Sequence, residues 1–146
     1  MFELANFYEY CRKNHIAVIP YSGMPAPGAT VRDGRQYAVF LDFSKIGSTR
    51  LLRGVCSHEL SHAATGALHR PASPYDLAQR SEYRAKRYFA QHFLTEKDLK
   101  KAFAAGFTEP WQLAEYFDLP EKDVLDAVNY WVQARGVNFN RQTGDN

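Results

Sequence analysis

The chain has 146 residues, of which 45% are hydrophobic and 23% charged, values typical of one folded globular domain rather than of a disordered or fibrous protein. Its formal net charge of +2 does not indicate a protein that binds nucleic acid or an acidic membrane surface. Cys11 and Cys56 form no disulfide framework, and we find neither a secretory signal nor a bilayer-spanning apolar run. We therefore expect a single domain over residues 1–146, located in the cytoplasm and without membrane association.

The first third of the chain predicts a helix, a short strand, a loop and a strong strand. A helical period covers Phe2 to Asn14, and Ile16 to Ile19 predicts a strand. Glycine and proline are frequent from Tyr21 to Arg35, which predicts a loop that ends in a turn at Asp33-Gly34. Gln36 to Phe43 is rich in β-branched and aromatic residues and predicts a strand. If this strand is the outer one of its sheet, it could pair with an extended peptide.

The next helix carries the sequence His58-Glu59-Leu60-Ser61-His62. It should begin with Ser48 or Thr49 as its N-cap and end at Gly66. Two histidines four residues apart on a helix point from one face and can bind the same metal ion. The glutamate between them would lie beside the open coordination position, where it can take a proton from water. The pattern therefore predicts a catalytic metal site with His58 and His62 as ligands and Glu59 as general base.

A catalytic zinc site usually has a third protein ligand. Cys56 is excluded because it points to the other side of the helix. His69 gives a spacing close to that of metzincins, but Gly66 and His69 each come one residue late and no methionine follows. Glu82 is the better candidate, since it interrupts the apolar stripe of the next helix and a buried carboxylate needs a cation. His92 lies too far along that helix to join.

The second half of the chain predicts only helices. The Glu82 helix should begin around Ser73-Pro74-Tyr75-Asp76, and Thr95 to Ala105 predicts a short surface helix. Pro110 to Phe117 and Glu121 to Ala134 predict a hairpin that packs on the rest of the domain through Leu125, Val128 and Trp131. The hairpin could also be a helix-turn-helix. Its second helix is net acidic, which disfavours DNA binding.

The chain resembles the gluzincins and, more closely, the ImmA/IrrE family of small metallopeptidases found in phages and prophages. The resemblance is carried by HELSH, by Glu82-Tyr83-Arg84-Ala85 and by the segment Gln112 to Phe117 with Leu119-Pro120. It implies an α+β, zincin-like fold in which a small sheet packs on a bundle of helices that includes the HExxH helix. It also implies a zinc endopeptidase that cleaves or inactivates a cytoplasmic helix-turn-helix repressor encoded nearby.

Lys86 departs from the pattern of these proteins. Such proteins commonly have Asp or Asn four residues after the ligand glutamate to orient a ligand histidine; here that residue is Lys86, which has no acceptor. The role must pass to another group or to backbone carbonyls. His69, Tyr75 and Tyr83 are all candidates for stabilising an oxyanion. Mn, Fe, Co or Ni could replace zinc, and the alternative function is a non-proteolytic, metal-binding regulator that binds a partner repressor.

Overall fold

The computed structural model describes residues 2–68 and 74–140 and shows a mixed α+β protein. Within these ranges it has six α-helices and one three-stranded sheet. The helices are α1 (Leu4–Lys13), α2 (Thr49–Thr65), α3 (Tyr75–Phe93), α4 (Glu96–Ala104), α5 (Pro110–Phe117) and α6 (Glu121–Asn129), and the strands are β1 (Ala17–Pro20), β2 (Gly28–Asp33) and β3 (Gln36–Leu41). A 3-10 turn at Phe43–Lys45 precedes α2, and a π-helical segment at Tyr130–Ala134 continues α6. The α+β class expected from the sequence is confirmed.

The sheet has the strand order β1-β3-β2. β1 runs parallel to β3, whereas β2 is antiparallel to it. β3 is therefore the central strand, and the expectation that it could offer an outer edge to a peptide is wrong. The free edge on the side of the hairpin belongs to β2.

β2 lies inside the segment for which the sequence predicts a loop, so that prediction is wrong for residues 28–33. Glycine, alanine, arginine and aspartate have little intrinsic preference for strands. The segment becomes a strand because a hairpin turn brings it back along β3. The predicted turn is present: Asp33 pairs with Gln36, and Gly34 has a φ of +63°.

Two apolar clusters lie on either side of the α2 and α3 pair, and Phe93 packs against both. The first contains buried residues of α1, the sheet and α2, among them Phe7, Val39, Leu41, Cys56 and Leu60. The second joins α3 to the C-terminal helices and includes Phe89, Leu99, Leu113, Val124 and Trp131. Trp131 and Val128 pack as the sequence predicts, whereas Leu125 is exposed. None of the described helices has the combination of length and apolar character that crossing a bilayer requires.

Helix α2 is fixed at both ends and along its length. The Ser48 hydroxyl accepts a hydrogen bond from the Leu51 amide at 3.1 Å, and Gly66 ends the helix in the left-handed conformation with a φ of +65°. Both caps agree with the sequence prediction. Between them, the buried Arg53 donates to the carbonyl oxygens of Phe2 and Asp118 at 2.7 and 2.9 Å. These bonds tie α2 to the N-terminus and to the turn before α6.

Candidate metal centre

The three predicted ligands come together in the structure. Their ligand atoms all lie within 4.8 Å of one another, and His58, His62 and Glu82 form a group that could hold a metal ion. The Nε2 atoms of the two histidines are 3.1 Å apart, and those of His62 and His58 lie 3.2 and 3.7 Å from the nearer Glu82 oxygens. Donor atoms about 2.0 to 2.1 Å from a tetrahedral zinc ion lie roughly 3.3 Å apart. The spacing of this donor set therefore fits zinc.

His62 is held in the tautomer that a metal ligand needs. Its Nδ1 lies 2.5 Å from the Ala67 carbonyl oxygen, which can only accept, so Nδ1 carries the proton and Nε2 keeps its lone pair. The same carbonyl accepts a bond from the buried Ser81 hydroxyl of α3. Burial acts to lower the pKa of His62, but the Glu82 carboxylate and the Ala67 carbonyl outweigh it, so the pKa is raised.

His58 occupies the more open side of the site, with 39% of its side chain exposed. Its ring meets that of His62 edge to face, with the centroids 4.6 Å apart. Burial within the site and the neighbouring His62 lower the pKa of His58 to about 4. At neutral pH this imidazole is uncharged, which is the form that binds metal ions.

Glu59 is buried beside the donor set, and its Oε1 lies 4.0 Å from the His58 Nε2. Thr30 of β2 donates a hydrogen bond to the other carboxylate oxygen, Oε2, at 2.8 Å. Burial raises the pKa of Glu59, while the bond from Thr30 opposes that shift. The carboxylate thus has one oxygen anchored and the other directed toward the donor set.

Gly28 makes this close approach of β2 to α2 possible. A Cβ atom there would lie 2.6 Å from a Val55 methyl carbon and 3.1 Å from the Glu59 Cγ. Sequence reasoning missed both Gly28 and Thr30 because it treated their segment as a loop. The signal that could have found them is the Asp33-Gly34 turn, which implies that the residues before it fold back along β3.

Comparisons with protein-family models, curated proteins and solved structures give no match. A functional conclusion therefore depends on the chemistry of the site itself.

Two other residues weighed as ligands lie outside the donor set. Cys56 is buried in the apolar cluster on the far side of α2, and burial raises the pKa of its thiol to about 12. His92 lies near the end of α3 and stacks on Tyr88, with the ring centroids 4.0 Å apart. The sequence predicts that neither residue is a metal ligand, and the structure agrees. His69, like the predicted N-cap Ser73, lies outside the described residues.

Tyr75 and Tyr83 are exposed on α3 and line the same surface pocket as Glu82. The pocket has a volume of about 420 Å³. Gln79 donates a hydrogen bond to the Tyr75 hydroxyl, which lies one helical turn away. Both phenols are therefore accessible to a substrate in this pocket, and their positions do not distinguish between them.

Lys86, which replaces the expected acceptor on α3, forms an ion pair with Asp126 of α6 at 3.6 Å. Asp123 lies one turn earlier on α6, and burial together with the charge of Asp126 raises the pKa of Asp123 to about 6. Both aspartates, Lys86 and His58 line one small cavity. Two carboxylates from a distant part of the chain therefore lie close to a candidate ligand.

Proposed function

We propose that this protein is a zinc-dependent endopeptidase with a zincin-like fold, similar to the ImmA/IrrE metallopeptidases. The observation that carries the proposal is the donor set of His58, His62 and Glu82, with the buried Glu59 carboxylate beside it. Three protein ligands leave one tetrahedral position open, which is typical of a catalytic rather than a structural zinc site. A carboxylate next to an open position is the further group that hydrolysis requires.

Zinc bound here would polarise the scissile carbonyl and lower the pKa of a water molecule toward about 7. Glu59 would accept the proton of the attacking water at Oε1, because Thr30 occupies Oε2. The protonated Glu59 would then donate to the leaving amine, which completes one cycle of general base and general acid catalysis. Its raised pKa favours the first step, because a carboxylate with a higher pKa is the stronger base and keeps the proton until the amine leaves.

The substrate would bind along the free edge of β2. An extended peptide adds to a sheet edge through main-chain hydrogen bonds, and β2 has β3 on one side only within the described sheet. Thr30 belongs to β2 and contacts Glu59, so a peptide on this edge would pass beside the general base. This assignment replaces β3, which is paired on both sides.

By its resemblance to ImmA/IrrE proteins, the natural substrate would be a helix-turn-helix repressor encoded nearby. We expect the zinc-loaded protein to cut that repressor at a defined bond, with intact-mass spectrometry as the measurement and excess chelator as the control. A repressor that binds but stays intact would instead favour a partner-binding regulator. DNA binding through α6 is the weaker alternative, because Glu121, Asp123 and Asp126 make that helix acidic.

Replacement of Thr30 by valine should reduce the ionised fraction of Glu59 near neutral pH without removing the general base. The substitution preserves shape but deletes the hydroxyl that donates to Glu59 at 2.8 Å. Because this bond lowers the pKa of Glu59 against the effect of burial, its loss should raise that pKa further. The acidic limb of the pH profile of kcat/KM should therefore move to higher pH, with kcat/KM near neutrality reduced by about tenfold.

The matched control is Thr30→Ser, which keeps the hydroxyl and should keep the wild-type profile. Zinc content should be equal in both variants, since the Thr30 hydroxyl bonds to Glu59, which is not one of the three ligands. A Thr30→Val profile that superimposes on that of the wild type would show that the hydroxyl does not tune the base.

A further inference from the structure

The close packing of α6 on α2 depends on Gly54. A Cβ atom at this position would lie 2.5 Å from the Pro120 Cγ and 2.8 Å from the Asp123 Oδ2. The carboxylate of Asp123 therefore occupies the space where any other residue at position 54 would have its side chain. Gly54 precedes His58 by four residues, which is one helical turn.

Side chains on a helix lean toward its N-terminus and cover the preceding turn. The ring of His58 thus leans toward the turn of Gly54, where Asp123 approaches. Its Nε2 atom faces the donor set, at 3.1 Å from the His62 Nε2. The opposite ring nitrogen, Nδ1, is the one that can reach α6.

Between the ring and α6 lies a cavity of about 20 Å³, which is enough for one water molecule. Six of its lining residues are polar, and they are Ser57, His58, Ser61, Lys86, Asp123 and Asp126. The hydroxyl groups of Ser57 and Ser61 donate to helix carbonyl oxygens of Gly54 and Ser57 at 2.9 and 2.7 Å. A carboxylate from α6 is therefore the strongest acceptor at this cavity.

We propose that Asp123 is the positioning residue for His58, accepting the Nδ1 proton through one water molecule in this cavity. The inference depends on the metal centre described above and adds to it a role for the C-terminal helices. His62 has the Ala67 carbonyl as its acceptor, whereas His58 would use a carboxylate supplied by α6. The acceptor that Lys86 cannot provide from α3 thus comes from a different helix.

Asp123 is assigned in preference to Asp126 for two reasons. The Asp126 carboxylate is already engaged by the Lys86 ammonium group at 3.6 Å. Asp123 lies over Gly54, one helical turn before His58, and this is the turn toward which the His58 ring leans. Lys86 and Asp126 also line the cavity, and their ion pair has no net charge of its own.

The test compares Asp123→Ala with Glu121→Ala, measured as zinc affinity by competition with a chelating dye. Both residues are acidic and lie in the first turn of α6, so both variants lose the same interaction with the helix dipole. Of the two, Asp123 alone lines the cavity. Alanine has no side-chain acceptor, so we expect Asp123→Ala to raise the zinc Kd by about 10- to 100-fold, and Glu121→Ala to leave it unchanged.

A second variant distinguishes positioning from folding. Lys86→Asp in the Asp123→Ala background places a carboxylate at the same cavity from α3 and should restore the affinity. The thermal midpoint of the metal-free protein should be no lower for Asp123→Ala than for Glu121→Ala, because burial raises the pKa of Asp123 and the folded state therefore disfavours its charge.

Either of two results would overturn the inference: a zinc Kd for Asp123→Ala equal to that of Glu121→Ala, or a weaker affinity accompanied by a lower metal-free midpoint and no rescue. Absence of zinc binding by the wild type would remove the metal centre as well. Wild-type binding with an unaffected Asp123→Ala variant would remove only the role of Asp123.

Discussion

His62→Ala is expected to abolish stoichiometric zinc binding. His62 is the central member of the donor set, since its Nε2 lies 3.1 Å from the His58 Nε2 and 3.2 Å from the Glu82 Oε1. The substitution leaves two ligands, both of which are partly exposed. Elemental analysis of the purified variant should find about one zinc per wild-type chain and almost none in the variant.

The loss of zinc binding should also appear as a loss of stabilisation of the folded state by zinc. A metal that binds only the folded state stabilises it by about 2.7 kcal/mol when its free concentration is 100 times the Kd. Zinc should therefore raise the unfolding temperature of the wild type and have no such effect on His62→Ala. Reading the zinc-dependent shift, rather than the absolute temperature, separates ligand loss from damage to the hydrogen bond between His62 and Ala67.

Two control variants each remove a histidine or a glutamate that lies outside the donor set. His92→Ala removes an exposed histidine that stacks on Tyr88 of the same helix as Glu82, and it should bind zinc normally. Glu82→Ala should lose zinc, whereas Glu115→Ala, at an exposed position of α5, should not. Full zinc occupancy in Glu82→Ala would contradict the ligand assignment.

The donor set could be predicted from the sequence because its signals are local. His58 and His62 share a helix face through their spacing alone, and Ser48 and Gly66 mark the ends of that helix. Glu82 could be identified as a carboxylate in an apolar stripe. In each case the pattern along a single helix carries the information, and the structure needs only to bring two helices together.

The residues that support the donor set could not be predicted in this way, because each depends on packing between distant segments. Thr30 reaches Glu59 only because β2 pairs with β3 and crosses α2. Asp123 reaches the cavity only because Gly54 lets α6 approach α2. Weak strand preference hides the first. The acidic residues of α6 hide the second, because from the sequence they indicate only that this helix does not favour DNA binding.

The most buried side of α2 differs from the one that residue spacing predicts. Leu51, Val55, His58 and His62 follow at spacings of four, three and four, which predicts one core-facing stripe. In the structure Leu51, Val55 and His58 are only partly buried. The core side is formed by Cys56, Leu60 and Ala63. Both sides of α2 are covered, by the sheet cluster on one side and by α3 on the other, so hydrophobic periodicity alone cannot rank them.

Glu59→Gln should remove peptide hydrolysis while leaving zinc in place. Glutamine preserves the size of the side chain but cannot accept the proton of the attacking water, and loss of a general base typically lowers kcat by about 10² to 10⁴. Zinc content should match the wild type, because the ligands are His58, His62 and Glu82. The measurement is the cleavage rate of the repressor, with both proteins at equal zinc content.

Unfolding cannot account for such a loss, because the substitution removes a buried charge. Burial raises the pKa of Glu59, which means that the folded state destabilises its ionised form relative to water. The metal-free Glu59→Gln protein should therefore be as stable as the wild type or more stable, a trade of stability for activity found at catalytic sites. It should also still bind the repressor. If the zinc-loaded Glu59→Gln protein cut the repressor at the wild-type rate, the assignment of Glu59 would be contradicted. If the wild type bound the repressor as this variant does and cut it no faster, partner binding would be the function of the site.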